Sequence, residues 1–142
     1  MKPVIHIEKR GGKDCIFCPF RRKWVRFTPE EEVRQIFLWH LVYRYMYPAS
    51  HIGVEVQLPS GQRADAVVYD DRLQPLMLVE FKAPNVPLTQ LTLDQAAVYN
   101  RMLHVPLLVL HNRKQTVVAQ IRNQDIQFLP DIPKYGNHHH AQ

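Results

Sequence analysis

The chain has 142 residues, 46% of them hydrophobic and 22% charged, and Lys and Arg exceed Asp and Glu by five. That length holds one ordinary core but no second large domain such as a molecular motor. No apolar run approaches the roughly 18 residues of a membrane span, and MKPVIHIEKRGGK lacks the apolar centre of a secretion signal. The expectation is a cytoplasmic protein without membrane contact.

The basic excess is concentrated at the start. Lys2, Lys9, Arg10, Lys13, Arg21, Arg22, Lys23 and Arg26 stand against Glu8 and Asp14. Residues 1–27 therefore read as a basic arm, its end packed onto the domain through Trp24 and Phe27. Either it faces phosphate, with Arg21, Arg22, Lys23 and Arg26 as contacts, or it is a solvated segment. Cys15 and Cys18 form a C-x-x-C, but a structural zinc needs four ligands and no second pair follows. Two buried or idle thiols in a reducing compartment are the default. His138, His139 and His140 read as part of a solvated tail, 131–142.

A helix begins at Thr28, with Pro29 at its first position and Glu31 three residues on to complete a capping box. Val33, Ile36, Phe37, Leu41 and Tyr45 recur at helical spacing and put one stripe into a core. The glutamates 30–32 are favourable charge at a helix N-terminus. His51 to Leu58 alternates like a strand. Ala64–Tyr69 and Leu76–Lys82 are two apolar strands around the turn chemistry of Asp70, Asp71, Arg72 and Pro75. If Tyr69 pairs with Leu76, Asp65 falls opposite Glu80, and Lys82 joins both carboxylates on one face. Opposed residues have Cβ atoms about 4.5–5.5 Å apart, close enough for two carboxylates to share one divalent cation.

A proline-containing loop leads to a second helix, about Leu91 to Leu103, which carries Gln95 and Tyr99 on one face. Short strands follow at 107–111, 116–120 and 126–129. The order helix, three strands, helix, strands describes an α/β domain over 28–130, with a mixed central sheet flanked by helices.

Asp65, Glu80 and Lys82 together resemble the active-site signature of the PD-(D/E)XK nuclease superfamily. The surrounding segments TPEEEVRQ (28–35), GQRADAVVY (61–69), LVEFKAPNVPLTQ (78–90) and DQAAVYN (94–100) resemble the N-terminal nuclease-like domain of type I restriction enzyme R subunits, found also as short stand-alone proteins. The leading proline of the signature is absent, since Ala64 precedes Asp65. The resemblance implies a restriction-endonuclease-like αβββαβ core and metal-dependent hydrolysis of DNA. It implies Mg²⁺ or Mn²⁺ on Asp65, Glu80 and the Phe81 carbonyl, with Lys82 positioning or deprotonating water or offsetting charge on the phosphorane. Gln95 joins the site. Glu31, or alternatively Glu30, and Tyr99 support it. Motor subunits, specificity subunits or a second copy are the implied protein partners. A binding module of the same fold without catalysis is the competing reading.

Overall fold

Local signals account for most of the elements that position the site. A computed structural model describes residues 5–123 and 125–136, with the side chains of 98–103 excepted. Helix α1 (Pro29–Tyr43) starts where Thr28 Oγ1 accepts a hydrogen bond from the Glu31 N–H at 3.0 Å. Val33, Phe37, Leu38 and Leu41 along it are buried. It ends ahead of Pro48, and a short 3-10 turn at Ala49–His51 leads into the sheet.

Six strands lie side by side in chain order: β4 (Ile52–Gln57), β5 (Arg63–Tyr69), β6 (Pro75–Phe81), β7 (Leu107–His111), β8 (Thr116–Arg122) and β9 (Asp125–Leu129). Every neighbouring pair is antiparallel except β6 with β7. Parallel neighbours cannot be joined by a tight turn, and helix α2 (Gln90–Leu103) makes the crossover. The molecule is thus the mixed α/β sheet with helices that the sequence predicts. Among the described residues no helix is long and apolar enough to cross a membrane.

Strand β6 is central and buried along its length beyond Pro75. Its alternation sorts the two cores. Met77, Val79 and Phe81 join Val33, Phe37, Leu38 and Leu41 of α1 in one cluster. Leu78 joins Val67, Leu108 and Leu110 with Leu93 and Ala96 of α2 in the other. By the same alternation Glu80 and Lys82 belong to the α2 face.

Two regions depart from the sequence expectations. The sequence predicts no strand before Thr28, yet β1 (Ile7–Arg10), β2 (Lys13–Cys18) and β3 (Lys23–Arg26) form a separate three-stranded antiparallel sheet. Gly11 and Gly12, both at positive φ, turn β1 into β2. Cys15 and Cys18, three apart on β2, point to opposite faces; Cys18 is fully buried and its Sγ accepts the Arg21 N–H at 3.4 Å. The second departure is the stretch read as a tail. Ile132 sits in the α1-side core, Tyr45 Oη donates to Asp131 Oδ1 at 2.6 Å, and Tyr47 Oη donates to the Pro133 carbonyl at 2.6 Å. The Tyr135 N–H donates to the Tyr45 carbonyl at 2.8 Å. Residues 131–136 are therefore a strap across the end of α1, and His138, His139 and His140 lie outside the described residues.

The strap generates a prediction. Ile132→Ala should cost about 2–5 kcal/mol in urea unfolding, the range for deleting a buried isoleucine side chain. A loss below about 0.5 kcal/mol, as at an exposed position, would return the segment to a tail.

Candidate functional site

Asp65 and Glu80 meet where the β5–β6 ladder passes from backbone to side-chain pairing. Val68 faces Met77, Val67 faces Leu78 and Ala66 faces Val79, so the next step sets Asp65 across from Glu80. The Tyr69–Leu76 pair from which that register was reasoned does not form. Tyr69 lies opposite Pro75, and a bulge between Val68 and Tyr69 absorbs the difference. Asp70 shapes the turn, its Oδ1 accepting the N–H groups of Arg72 and Gln74 at 2.8 and 2.9 Å. Because the bulge lies on the turn side, the register from Val68 to Ala66 that leads to Asp65 is untouched. There the Phe81 N–H donates to Asp65 Oδ2 at 2.8 Å, which fixes this carboxylate against β6.

Glu80 is 7% exposed. Burial first, then the charge of Asp65 and a hydrogen bond to it, push its carboxyl up to about 9, against the opposing pull of Lys82. With no cation between the pair, the protonated form of Glu80 is therefore favoured. Its Oε1 is buried with no hydrogen-bond partner, a costly arrangement for a carboxyl oxygen. A cation bound there would supply the missing partner. The N–H and C=O of one strand residue point to the same neighbour, so the Phe81 carbonyl also faces β5 and Asp65. Among the described residues no three His, Cys, Asp or Glu side chains are grouped to hold a metal. Two carboxyl groups and a carbonyl are oxygen donors of the kind that Mg²⁺ accepts alongside retained water.

Glu80, Lys82 and Gln95 are brought together around a cavity of about 330 Å³, whose other walls are Gln62, Thr92, Ala96 and Leu110. The Lys82 N–H donates to the His111 carbonyl at 2.9 Å and ties this end of β6 to β7. Thr92 is buried, and its Oγ1 donates to the Pro87 carbonyl at 3.4 Å, holding the preceding loop. The side chain of Tyr99 lies outside the described residues.

Glu31 takes a different place from that of a bare ligand. It is 4% exposed, while Glu30 is exposed to solvent. Arg21 Nη2 at 2.7 Å and Arg34 Nη2 at 2.9 Å both donate to its Oε1, and Gln35 Nε2 donates to Oε2 at 3.1 Å. Thr28 supplies its half of the capping box, but these partners occupy the carboxylate that would have supplied the other. Arg34 continues inward: its Nη1 donates to the Asp65 carbonyl at 3.4 Å, and its Nη2 lies 3.6 Å from Glu55. Glu31 is thereby linked to the backbone of Asp65 through Arg34.

The four proposed phosphate contacts also separate. Arg21 is committed to Glu31, whereas Arg22, Lys23 and Arg26 are exposed. Sequence reasoning missed Arg34, Glu55, Gln62 and Thr92. Arg34 had a signal, since it stands three residues after Glu31 on a helix, at ion-pairing distance. Glu55 is held by Arg34 and Arg63 at a positive φ of 52° within β4, a conformation that no sequence pattern marked.

Fold and site define a mixed α/β domain with two opposed carboxyl groups, Asp65 and Glu80, of which Glu80 lines a cavity together with Lys82. The model of the type I restriction enzyme R protein N terminus family matches residues 29–133, and the chain belongs to that family. A comparison with curated proteins found no match.

Two expectations follow. The Glu80 carboxyl is raised from an ordinary 4.5 to about 9, so the folded state binds the extra proton within that window and loses stability as pH rises through it. In metal-free buffer Glu80→Gln should melt above the wild type near pH 8, and the gap should close toward roughly pH 5; a gap independent of pH would contradict this. Glu31→Ala leaves the largely buried guanidinium groups of Arg21 and Arg34 without their shared anion and should cost about 3–5 kcal/mol in chemical denaturation. A Glu31 that served the site alone would alter activity and leave stability unchanged.

Proposed function

We propose that the chain is a divalent-metal-dependent nuclease module of the PD-(D/E)XK type, hydrolysing phosphodiester bonds of DNA within a restriction or DNA-processing system. The observation that carries this reading is the opposed Asp65–Glu80 pair with Lys82 beside it and a buried, partnerless Glu80 Oε1. Two like charges this close are unfavourable unless a proton or a cation separates them. A module that only bound nucleic acid would gain nothing from carboxyl groups concentrated where phosphate must approach. Membership in a family described as a restriction enzyme N terminus supports DNA as the substrate and other subunits, or a second copy, as partners.

The residues divide the work. Asp65, Glu80 and the Phe81 carbonyl would hold Mg²⁺ or Mn²⁺, which when bound polarises the scissile phosphate and acidifies water. The Phe81 N–H keeps Asp65 oriented, and Arg34 holds the Asp65 backbone. To serve as a ligand, Glu80 would have to be ionised. Lys82, whose charge already acts on Glu80, sits at the cavity wall to position or deprotonate the attacking water or to offset charge on the phosphorane. Gln95, exposed on α2 at the same cavity, can donate its amide to a phosphate oxygen. The volume of about 330 Å³ is within the range of roughly 300–1,000 Å³ for small-molecule sites.

A nicking assay on supercoiled, linear duplex and single-stranded DNA tests this directly. Asp65→Asn and Lys82→Ala should each lower Mg²⁺- or Mn²⁺-dependent cleavage by about 10²-fold or more, with circular dichroism unchanged. Equal cleavage by wild type and variants would assign the activity to a contaminant.

A further inference from the structure

We propose that the outer face of the β1–β3 sheet is a binding surface for single-stranded nucleic acid. Pairing within the sheet sets Trp24 across from Phe17, Arg26 across from Cys15, Glu8 across from Cys15, and Arg10 across from Lys13. Alternation then collects Arg10, Lys13, Phe17, Trp24 and Arg26 on one face. The opposite face carries Ile16 and Cys18, both fully buried, so the aromatic and basic side chains point outward. Lys13 and Arg26 are exposed. Neither ring belongs to either core cluster; they pack on each other instead, centroids 5.5 Å apart at 70°.

The chemistry of this face is specific. The Arg10 guanidinium lies 4.2 Å above the Trp24 ring, and the Arg10 side chain is 50% exposed. Its outer plane is available, and planar guanidinium and indole are the groups on which unpaired bases stack. Lys13 and Arg26 flank that layer with cations for phosphates. Glu8, 3.4 Å from Arg10, is the one acid on the face and holds the guanidinium in place. A duplex hides the faces of its bases, so stacking selects the single strand. Of the other basic residues, Arg21 is held by Glu31, and Lys23, though exposed, lies in the register of the opposite face. The same Arg21–Glu31 ion pair continues through Arg34 to the Asp65 carbonyl, so the sheet is anchored to the candidate site. Residues 7–26 precede the stretch matched by the family model, and nothing in that match assigns this surface.

The inference rests on the proposed nucleic-acid role for its substrate class, and its test is independent of cleavage. Fluorescence anisotropy of a labelled oligothymidine of roughly 15–20 nucleotides is measured in EDTA, so no hydrolysis takes place. The full chain should bind saturably, and Trp24→Ala should weaken binding by about fivefold or more. Trp24→Phe, which keeps a ring, should weaken it less. Lys13→Ala with Arg26→Ala should reduce the slope of log affinity against log salt by about 1.4, or 0.7 for each cation. Absence of binding at tens of micromolar protein in low salt overturns the proposal, as does affinity unchanged in Trp24→Ala or equal affinity for the duplex form. A chain that binds but never cleaves removes the nuclease reading alone; one that cleaves without this binding removes only the present inference.

Discussion

Two carboxyl groups forced together across neighbouring strands are the constraint around which this domain is built. With Glu80 buried beside Asp65, both cannot be ionised at low cost without a compensating cation; the Glu80 carboxyl is pushed toward its protonated form, and Asp65 is held by a backbone donor. Three neighbouring features bear on that arrangement. The Val68–Tyr69 bulge leaves the register at Asp65 intact, the parallel β6–β7 pair buries Glu80 from the far side, and α2 closes the cavity that Lys82 and Gln95 share.

A second layer of charge holds the first in place. Arg21, Glu31, Arg34 and Gln35 form a buried cluster joining the turn after β2, the start of α1 and the backbone of Asp65. A cluster of this kind is a poor source of net stability, because desolvation offsets most of its Coulomb attraction. Its value is geometric: broken on one side it leaves charges stranded, so it accepts one arrangement of α1 against β5. The positive φ of Glu55, whose carboxylate Arg34 and Arg63 approach, lies in the same neighbourhood. Strained backbone of this sort persists where its surroundings over-determine it.

Much of this was legible before any coordinates. Helix α1 announced itself through Thr28, Pro29 and the Val33, Phe37, Leu41 stripe, and the β5–β6 hairpin through β-branched runs around Asp70 and Asp71. The opposition of Asp65 and Glu80 was reached through a Tyr69–Leu76 pair that does not exist, because a bulge changes pairing only on its own side of the ladder. What stayed hidden was tertiary. Glu31 was legible as a capping residue but not as the anion of two distant arginines. The strands of residues 7–26 were masked by a basic composition that reads equally as a solvated arm. Ile132 was masked by prolines that read as a tail. Gln62 and Thr92 carry no pattern at all and reach the cavity only through the turn before β5 and the first turn of α2.

On the proposed reading, Asp65 and Glu80 would form a cation site whose place a proton takes when no cation is bound. Calorimetric titration of Mn²⁺ into the full chain with DNA present, repeated near pH 7 in two buffers of different ionisation enthalpy, tests it most directly. One ion should bind with release of about one proton, and both the heat and the proton should vanish in Asp65→Asn. Binding that releases no proton, binding that survives Asp65→Asn, or no binding at high millimolar Mn²⁺ would contradict it.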